Sequence, residues 1–179
     1  MAGELDGEVK LFYLKPYLRA EQADPWSLKI LNMKTTNKYY RLAGEVRASF
    51  IGEVATALTT LVAHLAAPVM LCVVPRSNPE SEAPWLCEAV ALAGLQDVAL
   101  VRTVAVREKS RDAELHATTI GVSDGGVSAL KAAGTVVLID DVFTSGSTME
   151  GCTAALRAAV GADDALNVVW FVLRRTPSV

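Results

Sequence analysis

Two adjacent carboxylates, Asp140 and Asp141, follow four consecutive aliphatics, Val136 to Ile139, and precede a run in which Thr144, Ser145, Ser147 and Thr148 flank Gly146. The aliphatics read as a central strand, the acids as its carboxyl end, and the hydroxyl-rich run as a short loop opening a helix. Ligands of open α/β sheets bind beyond the carboxyl ends of strands. Such a loop offers backbone N–H groups, four hydroxyls and a helix N-terminus, all suited to a phosphate, and Gly146 lets a ligand approach the backbone closely. The carboxylates can accept hydrogen bonds from the vicinal hydroxyls of a sugar. The spacing predicts a phosphorylated sugar as ligand. A plainer reading makes Ser147 and Glu150 a helix capping box and the two aspartates a mere strand end. Capping accounts for Ser147 and Glu150, but not for an acid pair between four aliphatics and a hydroxyl-glycine loop.

These residues need a scaffold, and the rest of the sequence supplies the elements of one. A strand is expected from Val9 to Leu14 and a short helix from Pro25, with Asp24 as its cap. A long helix from Leu42 to about Ala66 would bury Val46, Phe50, Val54, Leu58 and Leu61. Apolar runs at Val69–Val74, Val98–Arg102 and Thr135–Ile139 read as strands, with a helix at Ser81–Ala93 between the first two. A helix from Ser147 to Val160, stopped by Gly161, and a strand from Leu166 to Leu173 complete the pattern. Apolar runs buried on both faces, separated by helices, predict an α/β fold with a mostly parallel central sheet flanked by helices. No repeat or linker divides residues 1–179, so one domain is expected. The stretch from Thr103 to Gly126 is polar, charged and too long for an ordinary connection. It reads as a functional flap, or else as a surface hairpin without catalytic interest.

The segment VVLIDDVFTSGST resembles the PRPP-binding signature of the type I phosphoribosyltransferases: four hydrophobics, two acids, then a Thr/Ser and Gly loop. No Walker lysine pattern competes with it. The resemblance implies that family's fold, with a hood at about residues 1–40 and a flexible loop at about 103–126. It implies PRPP contacts from Asp140, Asp141, Val142, Phe143, Thr144, Ser145, Gly146, Ser147 and Thr148, the two acids on the ribose hydroxyls and the loop on the 5′-phosphate. The strand LCVVP with Arg76, Ser77 and Asn78 is similar to the family's pyrophosphate loop, although an ordinary strand-to-helix turn would look alike. Arg76, Ser77, Arg102 and Arg107 are candidate pyrophosphate ligands. Lys109 and Arg111 of the flap join Asp140 and Asp141 as candidate catalytic residues. Mg²⁺ is the implied cofactor, carried by PRPP with Asp140 and Asp141 as further oxygen donors, and a homodimer is implied too. Within the superfamily, ILNMK ending at Lys34 and the LVRT segment are similar to the ComF-like group. The chain departs from that group in lacking a Cys-rich zinc ribbon and in carrying NPESEAPW after the VP turn.

Composition narrows the alternatives. The 179 residues carry 17 Lys plus Arg against 20 Asp plus Glu, a formal charge of −3, with 51% hydrophobic and 21% charged residues. That is material for a folded core, and it disfavours general electrostatic binding to nucleic acid or anionic membrane. Three widely spaced cysteines, Cys72, Cys87 and Cys152, form no CxxC pair and fit a reducing, cytoplasmic setting. The acidic residues of MAGELDGEVK predict no secretion signal. His64 and Pro68 interrupt the apolar stretch from Val54 to Val74, which predicts a helix and a buried strand rather than a membrane span.

No motif names the acceptor. Six of the eleven aromatics, Phe12, Tyr13, Tyr17, Trp26, Tyr39 and Tyr40, lie in the first forty residues, where they either stack a planar base or form a core of their own. His116 in the flap offers an acid or base near neutral pH, whereas His64 reads as a packed core histidine. A rival class is a PRPP-binding regulator without turnover. Lys29, Lys34, Lys38, Arg41 and Arg47 stand against Glu45 alone between residues 29 and 47, suggesting either a nucleic-acid contact or a solvated helix face.

Overall fold

Apolar runs hydrogen-bonded side by side make the centre of the molecule, as the sequence predicts. The structure, a computed structural model of the 179-residue chain, describes residues 2–6, 9–16, 25–33, 44–66, 68–78, 84–106, 111–123, 125–161 and 166–175. Its strands are β1 (Ala2–Asp6), β2 (Val9–Pro16), β3 (Val69–Val73), β4 (Leu100–Arg102), β5 (Ile120–Val122), β6 (Thr135–Phe143) and β7 (Asn167–Arg175). Its helices are α1 (Pro25–Met33), α2 (Gly44–Val62), α3 (Leu86–Leu92), α4 (Ala113–Thr119), α5 (Gly126–Ala132) and α6 (Ser147–Val160).

The main sheet has the order β1-β2-β7-β6-β3. β2, β7, β6 and β3 run parallel, and β1 closes one edge antiparallel to β2. Residues alternate between two cores. Val136, Leu138, Val168, Trp170 and Val172 face α5 and α6, while Val137, Ile139, Val169, Phe171 and Leu173 face α1, α2 and α3. Both faces of β6 and β7 are thus covered, which is why these strands read as unbroken apolar runs. Each fully buried side chain of this kind stabilises the fold by about 1.5–3 kcal/mol relative to exposure.

Several expectations need correction. The run at Val98–Arg102 does not enter the main sheet: Leu100–Arg102 pairs antiparallel with β5 in a separate two-stranded sheet, and only a bridge from Asp97 to Leu71 touches β3. α2 ends at Val62, before the expected Ala66, residues 42 and 43 lie outside the described residues, and Val46 is 41% exposed, because the inner face of the helix begins at Phe50. α3 begins at Leu86, with Trp85 as its N-cap in a turn and Pro84 before it, and residues 81–83 lie outside the described residues. His64 is exposed beyond the end of α2, its Nδ1 2.7 Å from the Thr60 carbonyl oxygen. Asp24 lies outside the described residues.

Two segments carry regular structure within their described residues. Of the residues expected as a hood, β1 and β2 join the main sheet, and Ile30 and Met33 of α1 enter the core beneath α2. Phe12 and Tyr13 pack against the two cores, and Trp26 meets Phe50 edge-on at 4.8 Å, so these three aromatics serve packing. Tyr17, Tyr39 and Tyr40 lie outside the described residues, as do Lys34, Lys38 and Arg41. Of the residues expected as a flap, α4 and β5 are regular structure. Asp112 caps α4 by accepting from the Leu115 N–H at 2.9 Å. A Cβ placed on Gly151 of α6 would lie 2.9 Å from both the Ala113 carbonyl oxygen and the Ala117 nitrogen, so α4 rests directly on α6.

Candidate functional site

β6 carries the aliphatic run into the acids, and the chain turns at Thr144–Gly146 before α6 begins at Ser147. Gly146 has φ +81°, a left-handed conformation that a side chain would strain, so the glycine is required by the turn itself. The capping-box reading fails here. Ser147 is the first helical residue and not the cap, and its Oγ lies 3.0 Å from Ser145 Oγ, while the Glu150 N–H donates to the Gly146 carbonyl at 2.9 Å.

An open cleft of about 330 Å³ lies over this turn. Arg111, Asp140, Val142, Phe143, Thr144, Ser145, Gly146, Ser147, Thr148 and Met149 line it. The structure therefore brings together one predicted acid, the whole predicted phosphate loop and one predicted cation. Asp141 is partly buried beside it and does not line the cleft; its backbone N–H donates to Asp140 Oδ1 at 2.8 Å. Phe143 is 7% exposed and packs against Trp170 at 6.0 Å with Arg175 over its ring, so it forms a floor more than a polar contact. Met149 was not foreseen and adds an apolar wall.

The proposed pyrophosphate loop leaves the sheet at the same end. β3 is parallel to β6, and the Val74 N–H donates to the Ile139 carbonyl at 2.9 Å, which sets Arg76–Asn78 beyond the same sheet edge as Asp140. Arg76 and Ser77 are half-buried and do not line the cleft. The Arg76 carbonyl accepts from Arg102 Nε at 2.7 Å, and the Ser77 carbonyl from the Val106 N–H at 2.8 Å.

Arg102, a predicted pyrophosphate ligand, is held inside the protein. It is 3% exposed, and its guanidinium is held by the Arg76 carbonyl, by Thr119 Oγ1 at 3.0 Å and by His116 Nδ1 at 3.4 Å. A side chain so enclosed does not face solvent to meet a pyrophosphate. Burial lowers its pKa from the ordinary guanidinium value. Arg107 and Lys109 lie outside the described residues.

His116 is 4% exposed on α4, with Nε2 3.4 Å from Thr148 Oγ1 at the start of α6. Gly151 makes this possible, since a Cβ there would come within 2.3 Å of His116 Cβ. A glycine inside an alanine-rich helix is the sequence signal for a close helix approach. Below the site, Trp170 Nε1 donates to Thr153 Oγ1 at 2.9 Å, satisfying two buried polar groups between β7 and α6.

Among the described residues, no cluster of three or more His, Cys, Asp or Glu stands ready for a metal ion, and no helix is long and apolar enough to cross a membrane.

No family model matches the sequence, and no curated protein matches it. Among solved structures, the chain is similar to adenine phosphoribosyltransferase from Leishmania tarentolae. The TM-score is 0.46 at 13% identity, over 97% of this chain and 94% of that one. A likeness of that size does not carry a function from one chain to the other.

Proposed function

We propose that the chain is a phosphoribosyltransferase of the type I class, taking PRPP as donor and a nitrogenous base or amine as acceptor. The observation that carries this reading is the shared cleft: Asp140, the Thr144–Thr148 loop with left-handed Gly146, and Arg111 all line one opening at the carboxyl end of β6. A carboxylate, a nest of hydroxyls with a helix N-terminus, and a cation are the three chemistries that a ribose bearing a 5′-phosphate and a diphosphate demands.

In this reading the loop and the first turn of α6 hold the 5′-phosphate, and Asp140 accepts from the ribose hydroxyls, with Asp141 supporting it from the next position. Arg111, joined by Arg76, Arg107 and Lys109, offsets the diphosphate charge, and Ser77 donates a hydrogen bond to it. The acceptor nitrogen's lone pair forms the bond to the anomeric carbon as the bond to the diphosphate oxygen breaks, pyrophosphate departs with that electron pair, and the acceptor loses its proton to water. The transition state has oxocarbenium character, so the protein's contribution is positioning, charge and exclusion of water. Mg²⁺ fits the donor set only in company with the substrate. Asp140 and Asp141 offer carboxylate oxygens, too few for a cage, and a hard cation completes its shell from phosphate oxygens. Its chemistry would be to neutralise the departing diphosphate. A ComF-like, cytoplasmic homodimer belongs to the same reading.

A PRPP-binding regulator without turnover is the second reading. The burial of Arg102 favours it by withdrawing one cation from the diphosphate side. Pyrophosphate release from PRPP and Mg²⁺, screened over nucleobases and amines, separates the two. Release with one acceptor, abolished by Arg111→Gln with Lys109→Gln, supports the transferase; saturable PRPP binding with no release from any acceptor supports the regulator.

A further inference from the structure

We propose that His116 is a positioning residue that fixes Thr148 as a hydrogen-bond donor to the ligand's phosphate, and that Arg102 sets the tautomer by which it does so. The inference rests on the reading of the cleft as a phosphoribosyl site and goes beyond it. It starts from a property of arginine: a guanidinium only donates. Arg102 Nη2 lies 3.4 Å from His116 Nδ1, so Nδ1 is the acceptor of that contact. An imidazole whose Nδ1 accepts a hydrogen bond is neutral and carries its hydrogen on Nε2. Nε2 lies 3.4 Å from Thr148 Oγ1, so His116 donates there and Thr148 accepts. A hydroxyl accepting from a buried imidazole keeps its own O–H for another partner. Thr148 lines the cleft, where a phosphate oxygen supplies one.

Each part of this relay is held. His116 is 4% exposed and pressed against Gly151, which leaves its ring little freedom. Arg102 is tethered by the Arg76 carbonyl at 2.7 Å and by Thr119 Oγ1 at 3.0 Å. Because Arg76 lies in the loop after β3 and Thr148 in the first turn of α6, the same chain of contacts joins that loop to the start of α6. One guanidinium thereby ties together the two loops assigned to opposite ends of the ligand.

The two amide variants separate the halves of the relay. His116→Gln carries an amide N–H to about the position of Nε2 and retains the donor to Thr148. His116→Asn ends near Nδ1 and keeps a partner for Arg102 alone. Calorimetric titration with ribose 5-phosphate, and with PRPP and Mg²⁺, should show His116→Asn and Thr148→Val each weakening binding on the order of tenfold, the strength of one hydrogen bond to a charged group. Their double variant should lose no more than either alone, and His116→Gln should regain most of the affinity. In a His64→Gln background, where His116 is the single histidine, imidazole ¹⁵N shifts should report the Nε2–H tautomer. Equal affinity in wild type and His116→Asn, with only the melting temperature lowered, would overturn the inference, as would an Nδ1–H tautomer. If the wild type binds neither probe, the phosphoribosyl reading itself fails, and the relay's role in phosphate binding fails with it.

Discussion

His116 Cβ lies so close to Gly151 that a methyl group on the glycine would overlap it. Two effects of Gly151→Ala therefore oppose each other. Helix propensity favours alanine by about 1 kcal/mol at an interior position. The clash is with α4 itself, since the same methyl would lie 2.9 Å from the Ala113 carbonyl oxygen and the Ala117 nitrogen, which cannot move without the helix. Overpacking of this kind costs typically about 1–3 kcal/mol. Net destabilisation of roughly 1 kcal/mol is expected in urea unfolding, together with weaker phosphate binding as His116 is displaced from Thr148. A stabilised variant would show that α4 does not sit on α6 as described.

Cys152 lies wholly inside the core on α6, and Cys72 is wholly buried on β3. Burial pushes the Cys72 thiol up to about 12 and the Cys152 thiol higher than its ordinary value as well. Burial also raises Cys87, but that side chain is half-buried and within reach of solvent. Iodoacetamide at pH 8 should label Cys87 slowly in the native protein and reach the other two only in denaturant, as read by mass spectrometry. Native labelling of Cys152 would mean that the inner face of α6 opens.

Arg47 on α2 and Glu88 on α3 form a bidentate pair, with Nη1 2.6 Å from Oε2 and Nη2 on Oε1. The hydrogen bonds from Arg47 hold the Glu88 carboxyl below its ordinary value of 4.5. A carboxyl lowered in the folded state contributes stability above its unfolded pKa and loses it as pH falls through the folded one. Both side chains are 40–50% exposed, so solvent screening limits the pair to about 0.2–1 kcal/mol. Glu88→Gln should cost about that much at pH 7 and low salt. The difference from wild type should shrink below about pH 4.5 and in 1 M salt; a difference that grows on acidification would reverse the assignment.

The sequence shows most clearly those parts whose cause is local. β6, its acids and its loop are legible because four aliphatics buried on both faces, a glycine at φ +81° and a helix start leave little alternative. The core face of α2 is legible from Phe50, Val54, Leu58 and Leu61 at helical spacing, all buried. What escapes is set by distant partners. The cradle of Arg102 comes from Arg76, 26 positions earlier, and from Thr119, 17 positions later, so no local pattern distinguishes it from a solvent-facing strand end. α4 inverts the usual polarity, with Leu115 39% exposed and His116 buried, which disguises a packed helix as a polar loop. β4, only three residues long, carries no mark of which sheet it joins.

In the proposed function, the cleft at the end of β6 binds PRPP through Asp140 and the Thr144–Thr148 loop. Calorimetric titration of the wild type and of Asp140→Asn with PRPP and Mg²⁺ tests it most directly. Saturable binding that weakens by roughly 10- to 100-fold in the variant, the effect of losing charge-assisted hydrogen bonds, is the predicted result. No binding by the wild type, or equal binding by both proteins, would contradict it.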